Sequence, residues 1–561
     1  MTNLAAMFAI GAALFAQDAP PASKAPVLNA AVSGIVRDKN TGQPLAGYTV
    51  STYVGATWIA NAIQMNSGIK QVQVTTDESG RYRLADLPAA PYRLSARSAK
   101  GGFGSVVNRS VVLSGHDVDD INFDIAVEGV VKGRILDENK EPFPGITVTL
   151  VSREYYLGSS GYFLRGASRP SNDRGEYTIE SVPSGQQFYL MAELRRRQLP
   201  AHSESPLNPK LRRRLPMRTW YPNSPAKEGA APVLLRPAQT LEHVDIEMKK
   251  SPAFCVEGTL LTAMGGPGAL RFSVEGQQPS SGSHEGGGMF MATGSGVTGS
   301  DGAFRICDLS PGSYRIEATQ DNGSLLFGAS IVNIGDEDLK GLKIAALPPQ
   351  PVEGEVVLEG PIPASPLPVK VSVSLVPMLR SFHQGEDNSA KGEIPGNFTL
   401  PAVIADDYQV RTTLNSPGLY IKDVQWAGIS VHYAPLRIGA SGAGSGLRIV
   451  VGQDGGTIAA AVTTKDGNPA QDIRIVAFPA DITSEGILAA AMVYGQTDQT
   501  GAWTSQPLAP GRYYLGAIDA SIDYSVELIQ RLWRSRSRFT EVDLAPNGAP
   551  QVPMQPVLLA P

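Results

Sequence analysis

A pattern of polar turn, aromatic strand, bend and second aromatic strand recurs five times along the chain. It reads TTDESGRYRLADLPAAPYRL from Thr75, SNDRGEYTIESVPSGQQFYL from Ser171 and GSDGAFRICDLSPGSYRI from Gly299. Looser copies are AKGEIPGNFTLPAVIADDYQV from Ala390 and QTDQTGAWTSQPLAPGRYYL from Gln496. An opener precedes each: VSGIVRD at Val32, VKGRILD at Val131, VEGTLLT at Val256, VEGEVVL at Val352 and a degenerate GTIAAAVTT at Gly456. The opener glycines Gly34, Gly133, Gly258 and Gly354 stand about one small domain apart. Self-similarity at that interval means an array of like domains, not one large enzyme core.

Within the repeats the dominant period is two. Ile146, Val148 and Leu150 alternate with Thr147 and Thr149, and Val369, Val371, Val373 and Leu375 alternate with Lys370, Ser372 and Ser374. Such alternation makes strands with one face on a core and one on water. Short strands divided by Gly, Pro and Asp turns read as small antiparallel β-sandwiches, so the expected class is all-β. The 59 Gly and 43 Pro residues suit that many turns. Gly80, Gly175, Gly302 and Gly501 are placed to supply positive φ, with Asp77, Asp173, Asp301 and Asp498 bonding their own turn backbone. Helical periodicity is scarce; VELIQRLW from Val526 is the best short helix. Five sandwiches are expected at 27–126, 127–250, 251–349, 350–452 and 453–561. The second carries an Arg-rich insertion from Arg195 to Thr219.

The apolar run Leu4 to Phe15, then Ala16 and QDAPPASKAP, reads as a secretory signal peptide over residues 1–16. The mature protein is then exported, whether periplasmic, outer-surface or secreted. No later segment is long and apolar enough for a transmembrane helix. A net charge of -5 without a basic tail argues against nucleic acid as a partner. An exported chain permits a disulfide between Cys255 and Cys307; two buried thiols are the alternative.

The opener V-x-G-x-V with D-x-x-x-x-P-L/F-x-G-x-x-V, as in VSGIVRDKNTGQPLAGYTV and VKGRILDENKEPFPGITVTL, resembles the carboxypeptidase regulatory-like domain. The later D-x-x-G-x-Y/F…P-x-G-x-Y fits the same family. The resemblance implies a prealbumin-like sandwich related in shape to carbohydrate-binding domains, with a scaffold or binding role and no catalytic residues. Cna-type B domains share the shape, but the glutamate-bearing motif of their internal isopeptides is not evident.

Motifs that carry chemistry are sparse. There is no G-x-S-x-G elbow, P-loop or dinucleotide fingerprint, and no cofactor is expected. A zinc-dependent hydrolase is the remote alternative: His383 and Glu386 have H-x-x-E spacing, but His432 alone follows and no base motif accompanies them. The turn carboxylates offer too few ligands for calcium. For a glycan, stacking needs exposed rings, and Tyr155, Tyr156, Tyr162 and Phe163 form the candidate platform. Arg195, Arg196, Arg197, Arg212, Arg213 and Arg214 form a candidate anion patch, with Arg218 beside them. The expected function is a non-enzymatic structural or binding module at the cell envelope, with a polysaccharide or other envelope polymer as ligand. A protein–protein adhesion or assembly scaffold with a surface-protein partner is the alternative.

Overall fold

The computed structural model describes residues 29–559, except 56, 60–61, 65–68, 99–105, 157–158, 195–198, 201–211, 279–287, 322–324, 362–366, 368, 381–387, 415, 417, 440–445 and 520–524. Among the described residues the chain forms five β-sandwiches on one plan. In each, the opener strand lies between the first aromatic strand, antiparallel, and a closing strand, parallel. Asn29–Asp38 pairs with Arg81–Pro88 and Phe123–Ile125. Gly129–Leu136 pairs with Glu176–Val182 and with the short strands Thr240–Leu241 and Ile246–Glu247. The third and fourth openers, Phe254–Leu261 and Gln350–Glu359, repeat this with Leu339–Ala345 and Leu447–Gly452 as closing strands. Ala459–Val462 does the same with Ala502–Thr504 and Gln551–Met554. The parallel pairing departs from a purely antiparallel plan because the closing strand returns from the facing sheet and enters in the opener's direction.

The facing sheets are antiparallel, except that in the third sandwich the short strands Leu199–Pro200 and Leu379–Arg380 add to Gly288–Val297 in parallel, and period-two alternation sends one row of side chains from each sheet into a shared core. In the second sandwich Val131, Ile135, Val148, Leu150, Tyr177, Phe188 and Leu190 meet there. Equivalent clusters sit in the other four.

The motif residues acquire reasons in this frame. The closing strand crosses directly over the opener glycine. A Cβ on Gly34 would lie 2.1 Å from the Ile121 carbonyl oxygen, and one on Gly133 1.9 Å from that of Val244. Tyr82 and Tyr177 stand opposite those glycines in register. Their hydroxyls donate to the same two carbonyls at 2.6 and 2.7 Å. In the fourth sandwich the Phe398 ring covers Gly354. The fifth opener has Ala460 opposite Trp503, whose indole lies over Gly495 instead. The second aromatic is a tyrosine corner: Tyr92, Tyr314, Tyr408 and Tyr513 each donate to the carbonyl four residues upstream, at 2.8–2.9 Å. The second sandwich has Phe188 there.

The turns behave as expected with one change. Asp77 and Asp498 accept backbone N–H bonds from within their turns, and Asp301 accepts one from Ala303. In the second sandwich Asn172, not Asp173, takes this role, bonding Arg174 N and Glu176 N. The amide oxygen at that position has the reach, and Asp173 is left exposed.

Two α-helices interrupt the fifth sandwich: α1, Glu485–Ala491, and α2, Val526–Ser535. Ser484 and Ser525 cap them, accepting from Ile487 N and Leu528 N. The helix expected at Val526 is α2; α1 adds a second. Together they cover Val476, Phe478 and Ile518 on the outer sheet face.

Candidate functional site

Two regions carry the candidate residues: the outer face of the second sandwich's sheet, and the junctions between sandwiches. The strands Thr147–Tyr156, Ser159–Ala167, Gln187–Glu193 and Thr219–Trp220 build the outer face. Val151, Met191 and Trp220 are buried on it, with Tyr162 and Tyr189 packed half-buried against them. The Tyr162 ring centroid lies 4.8 Å from Trp220 and 5.4 Å from Tyr189, the latter edge-on. Burial pushes both tyrosine hydroxyls above their ordinary pKa.

The four platform residues are not presented together. Phe163 is 2% exposed, so its ring has no face to offer a sugar. Tyr155 packs against the α1–α2 cluster and donates its hydroxyl to Glu485 Oε2 at 2.9 Å. Tyr156 lies outside the residues whose side chains are described. Tyr162 keeps part of its ring accessible. Tyr189 was missed in the sequence. Phe188, Leu190 and Ala192 alternate into the core, so period two places Tyr189 and Met191 outside, and that signal was present.

The arginines separate as well. Arg195, Arg196 and Arg197 lie outside the described residues. Arg212 belongs to no anion patch: its side chain is 3% exposed and donates to both Asp338 oxygens, at 2.6 and 2.7 Å. Asp338 also accepts from Cys255 N at 2.8 Å. Burial raises the Asp338 pKa, but the Arg212 and Cys255 donors outweigh it and hold the carboxyl below its ordinary value. Arg213 is exposed. Arg214 reaches Glu138 at 3.3 Å and donates to the Lys250 carbonyl, while Arg218 pairs with Glu193. Arg212 thus ties the second sandwich to the third, while Arg214 and Arg218 tie the second to itself. Cys255 and Cys307 are joined as a disulfide beside this junction.

The junction between third and fourth sandwiches uses the same chemistry. Arg315, 2% exposed, donates to Glu317 at 2.7 Å and Asp406 at 2.8 Å, and Phe327 packs into the fourth core. Tyr420 of the fourth donates to Asp454 at 3.1 Å. Against the first sandwich, Arg109 meets Asp472 of the fifth at 2.7 Å.

His383 and Glu386 lie outside the described residues. Among the described residues no three His, Cys, Asp or Glu side chains gather as metal ligands. His432 is held below its ordinary pKa, chiefly by burial, and rests edge-on against Tyr433. An open hollow of about 430 Å³ on the third sandwich is lined by Glu257, Asp301, Phe304 and Arg305, and its Glu257–Arg305 pair closes on itself at 3.0 Å. No helix among the described residues is long and apolar enough to cross a membrane. The leader expected at 1–16 lies outside the described residues.

Solved structures similar to this chain include a streptococcal ancillary pilin, at 12% identity over 57% of this chain and 99% of that one, TM-score 0.20. Others are the Bacillus anthracis TIE protein, at 11% over 74% and 72%, TM-score 0.15, and the minor pilin GBS52 of Streptococcus agalactiae, at 15% over 40% and 97%, TM-score 0.23. At these TM-scores the likenesses carry no argument about function. No curated protein matches the sequence. Residues 31–126 match the family model of the carboxypeptidase regulatory-like domain, and the chain contains that domain there.

Proposed function

We propose that the chain is an exported, non-enzymatic scaffold and binding module of the cell envelope. Its domains are divided at 27–126, 127–250, 251–349, 350–452 and 453–561. The observation that carries this reading is where the charged chemistry goes. Arg212 with Asp338 and Arg315 with Asp406 join sandwiches to each other, and Glu317 holds Arg315 from within the third. No nucleophile, base and oxyanion site converge beside them among the described residues. A multi-domain chain of sandwiches with buried ion pairs at its junctions presents a surface rather than a reaction centre.

The ligand class proposed is a polysaccharide or other envelope polymer, held on the half-exposed rings of Tyr162 and Tyr189. Sugar C–H faces stack on such rings, and the underlying Trp220 fixes their angle. The test is binding of the chain to a panel of envelope polysaccharides, with Tyr162→Ala/Tyr189→Ala alongside. Saturable binding lost in the pair supports the reading, and absence of binding to every polymer removes it.

A protein–protein assembly role is the second reading, favoured by one observation. The hairpin Tyr420–Trp426 with Ile429–Ser430 ends the five-stranded sheet of the fourth sandwich, and Ile429 is 71% exposed on it. An exposed sheet edge with an apolar side chain is a template for a partner strand.

A further inference from the structure

The sandwiches do not run out in a line. The fifth touches the first and the second through residues more than three hundred positions away in sequence. On the first sandwich it meets the edge strand Val107–Val112. The Gln499 side-chain amide accepts from Val112 N at 3.2 Å and donates to Val112 O at 2.9 Å, imitating one rung of a strand. Three residues back on the same strand, Arg109 pairs with Asp472. The Arg109 guanidinium also donates to Asn122 O and lies 5.5 Å from the Phe123 ring, so it is held in place from its own side. Arg93, half-buried on the neighbouring strand, lies within electrostatic reach of Tyr494 and Arg474 of the fifth sandwich.

On the second sandwich the contact is apolar. Tyr155 enters the cluster formed by Leu488 of α1, Leu528, Ile529 and Leu532 of α2, and Val476 and Phe478 beneath them. Its hydroxyl is anchored on Glu485. Among the described residues only the fifth sandwich carries α-helices, and these are the parts that dock on the second. The second joins the third through Arg212–Asp338, the third joins the fourth through Arg315–Asp406, and the fourth joins the fifth through Tyr420–Asp454.

We infer that the fifth sandwich is a clasp that closes the five-domain chain into a ring, and that its polar seam on the first sandwich is where the ring opens. The described hydrogen bonds and ion pair of the seam are polar, Arg109 with Asp472 and Gln499 with Val112, whereas the second-sandwich contact buries a hydrophobic cluster. Polar contacts between domains of one chain resemble transient interfaces and separate first. The carboxyl oxygen of Asp472 that faces away from Arg109 is buried without a hydrogen-bond partner, which weakens the seam further.

Small-angle scattering on the full chain tests this, with amide hydrogen exchange as a second reading. A single globule of this length has a radius of gyration of about 24 Å. Five sandwiches end to end, each roughly 35 Å long by strand length, give about 50 Å instead. The inference expects the wild type near 25–32 Å, on the globule side of those limits. Gln499→Ala with Asp472→Ala is expected to enlarge it and to raise exchange at the edge strand Val107–Val112. Exchange in the core strand Asn29–Asp38 should stay unchanged, which shows that the first sandwich remains folded. Tyr155→Ala, added to that pair, is expected to expand the chain further and to expose α1 to exchange. A wild-type radius near 50 Å overturns the ring. A compact wild type unmoved by the seam pair overturns the seam as the point of opening.

Discussion

Replacing Gly133 by Ala tests whether the repeated opener glycine is a packing requirement or a relic of sequence. The new Cβ would stand 1.9 Å from the Val244 carbonyl oxygen, 2.5 Å from its carbon and 3.0 Å from the Tyr177 ring. Backbone is what it meets, so the closing strand has to retreat by roughly 1 Å to reach ordinary contact in an interior packed this densely. Overpacking of this kind costs about 1–3 kcal/mol. Retreat also breaks the bond from the Tyr177 hydroxyl to Val244 O, leaving two buried groups unsatisfied at about 1–3 kcal/mol. Against this, Ala restricts the unfolded chain and returns about 0.4–1 kcal/mol. The net expectation is a loss of about 3 kcal/mol, confined to the second sandwich. Hydrogen exchange resolves it locally: protection in Gly129–Leu136 and Glu176–Val182 should fall by about a hundredfold, while Asn29–Asp38 stays unchanged. Gly145→Ala is the control. That residue sits at φ 80° with no atom within 4 Å of a new Cβ, so only backbone strain of about 1 kcal/mol is expected. A loss below 1 kcal/mol at Gly133, or no difference between the two variants, would refute the reasoning.

Replacing Cys255 and Cys307 by Ala opens a loop with a sequence separation of 52 and should lower the stability of the third sandwich by about 4 kcal/mol on the chain-entropy account, measured by urea unfolding with and without reductant. Arg315→Ala removes the guanidinium that Glu317 and Asp406 share and should cost about 3–5 kcal/mol, seen as an earlier thermal transition of the third and fourth sandwiches. The Asp472 carboxyl is pushed up to about 7, chiefly by burial, with Asp124 adding and Arg109 opposing. A raised folded value means its stabilisation is full below about pH 4 and is lost as pH rises through about 7. The scattering radius should therefore grow as pH rises from about 4 to about 7 in the wild type, and Asp472→Asn, which keeps an oxygen for Arg109 without the buried charge, should abolish that growth.

The repeat unit was legible because each of its signature residues answers to a local constraint. Gly34 and Gly133 mark a strand crossing, Gly80 and Gly175 a positive φ, and Tyr92 and Tyr314 a hydroxyl bond four residues back. Constraints of that kind recur wherever the fold recurs, so they appear as a pattern. The degenerate fifth opener follows the same logic, since Trp503 covers Gly495 and no glycine is needed opposite it. The site was less legible. In the sequence Tyr155 reads as an exposed ring and Arg212 as a free charge, yet each is turned inward by a partner distant in sequence, Glu485 and Asp338. Nothing local to REYYLG or LRRRLP encodes those partners, so their side chains look available until the sandwiches are assembled.

The same distance explains how so slight a seam can hold a ring. One ion pair and one amide would associate two free domains only weakly. Here the second, third and fourth sandwiches already carry the fifth back to the first, through Arg212–Asp338, Arg315–Asp406 and Tyr420–Asp454. The last contact is then intramolecular, at an effective concentration of order millimolar, and needs little energy of its own. It follows that the seam depends on junctions it does not touch. Arg315→Ala should loosen Gln499 from Val112 even though the residues share no neighbour. Exchange at Val107–Val112 that rises in Arg315→Ala would show that closure belongs to the whole ring. Exchange that stays at the wild-type level would mean that the docking of the fifth sandwich on the second holds the seam without the third-to-fourth junction.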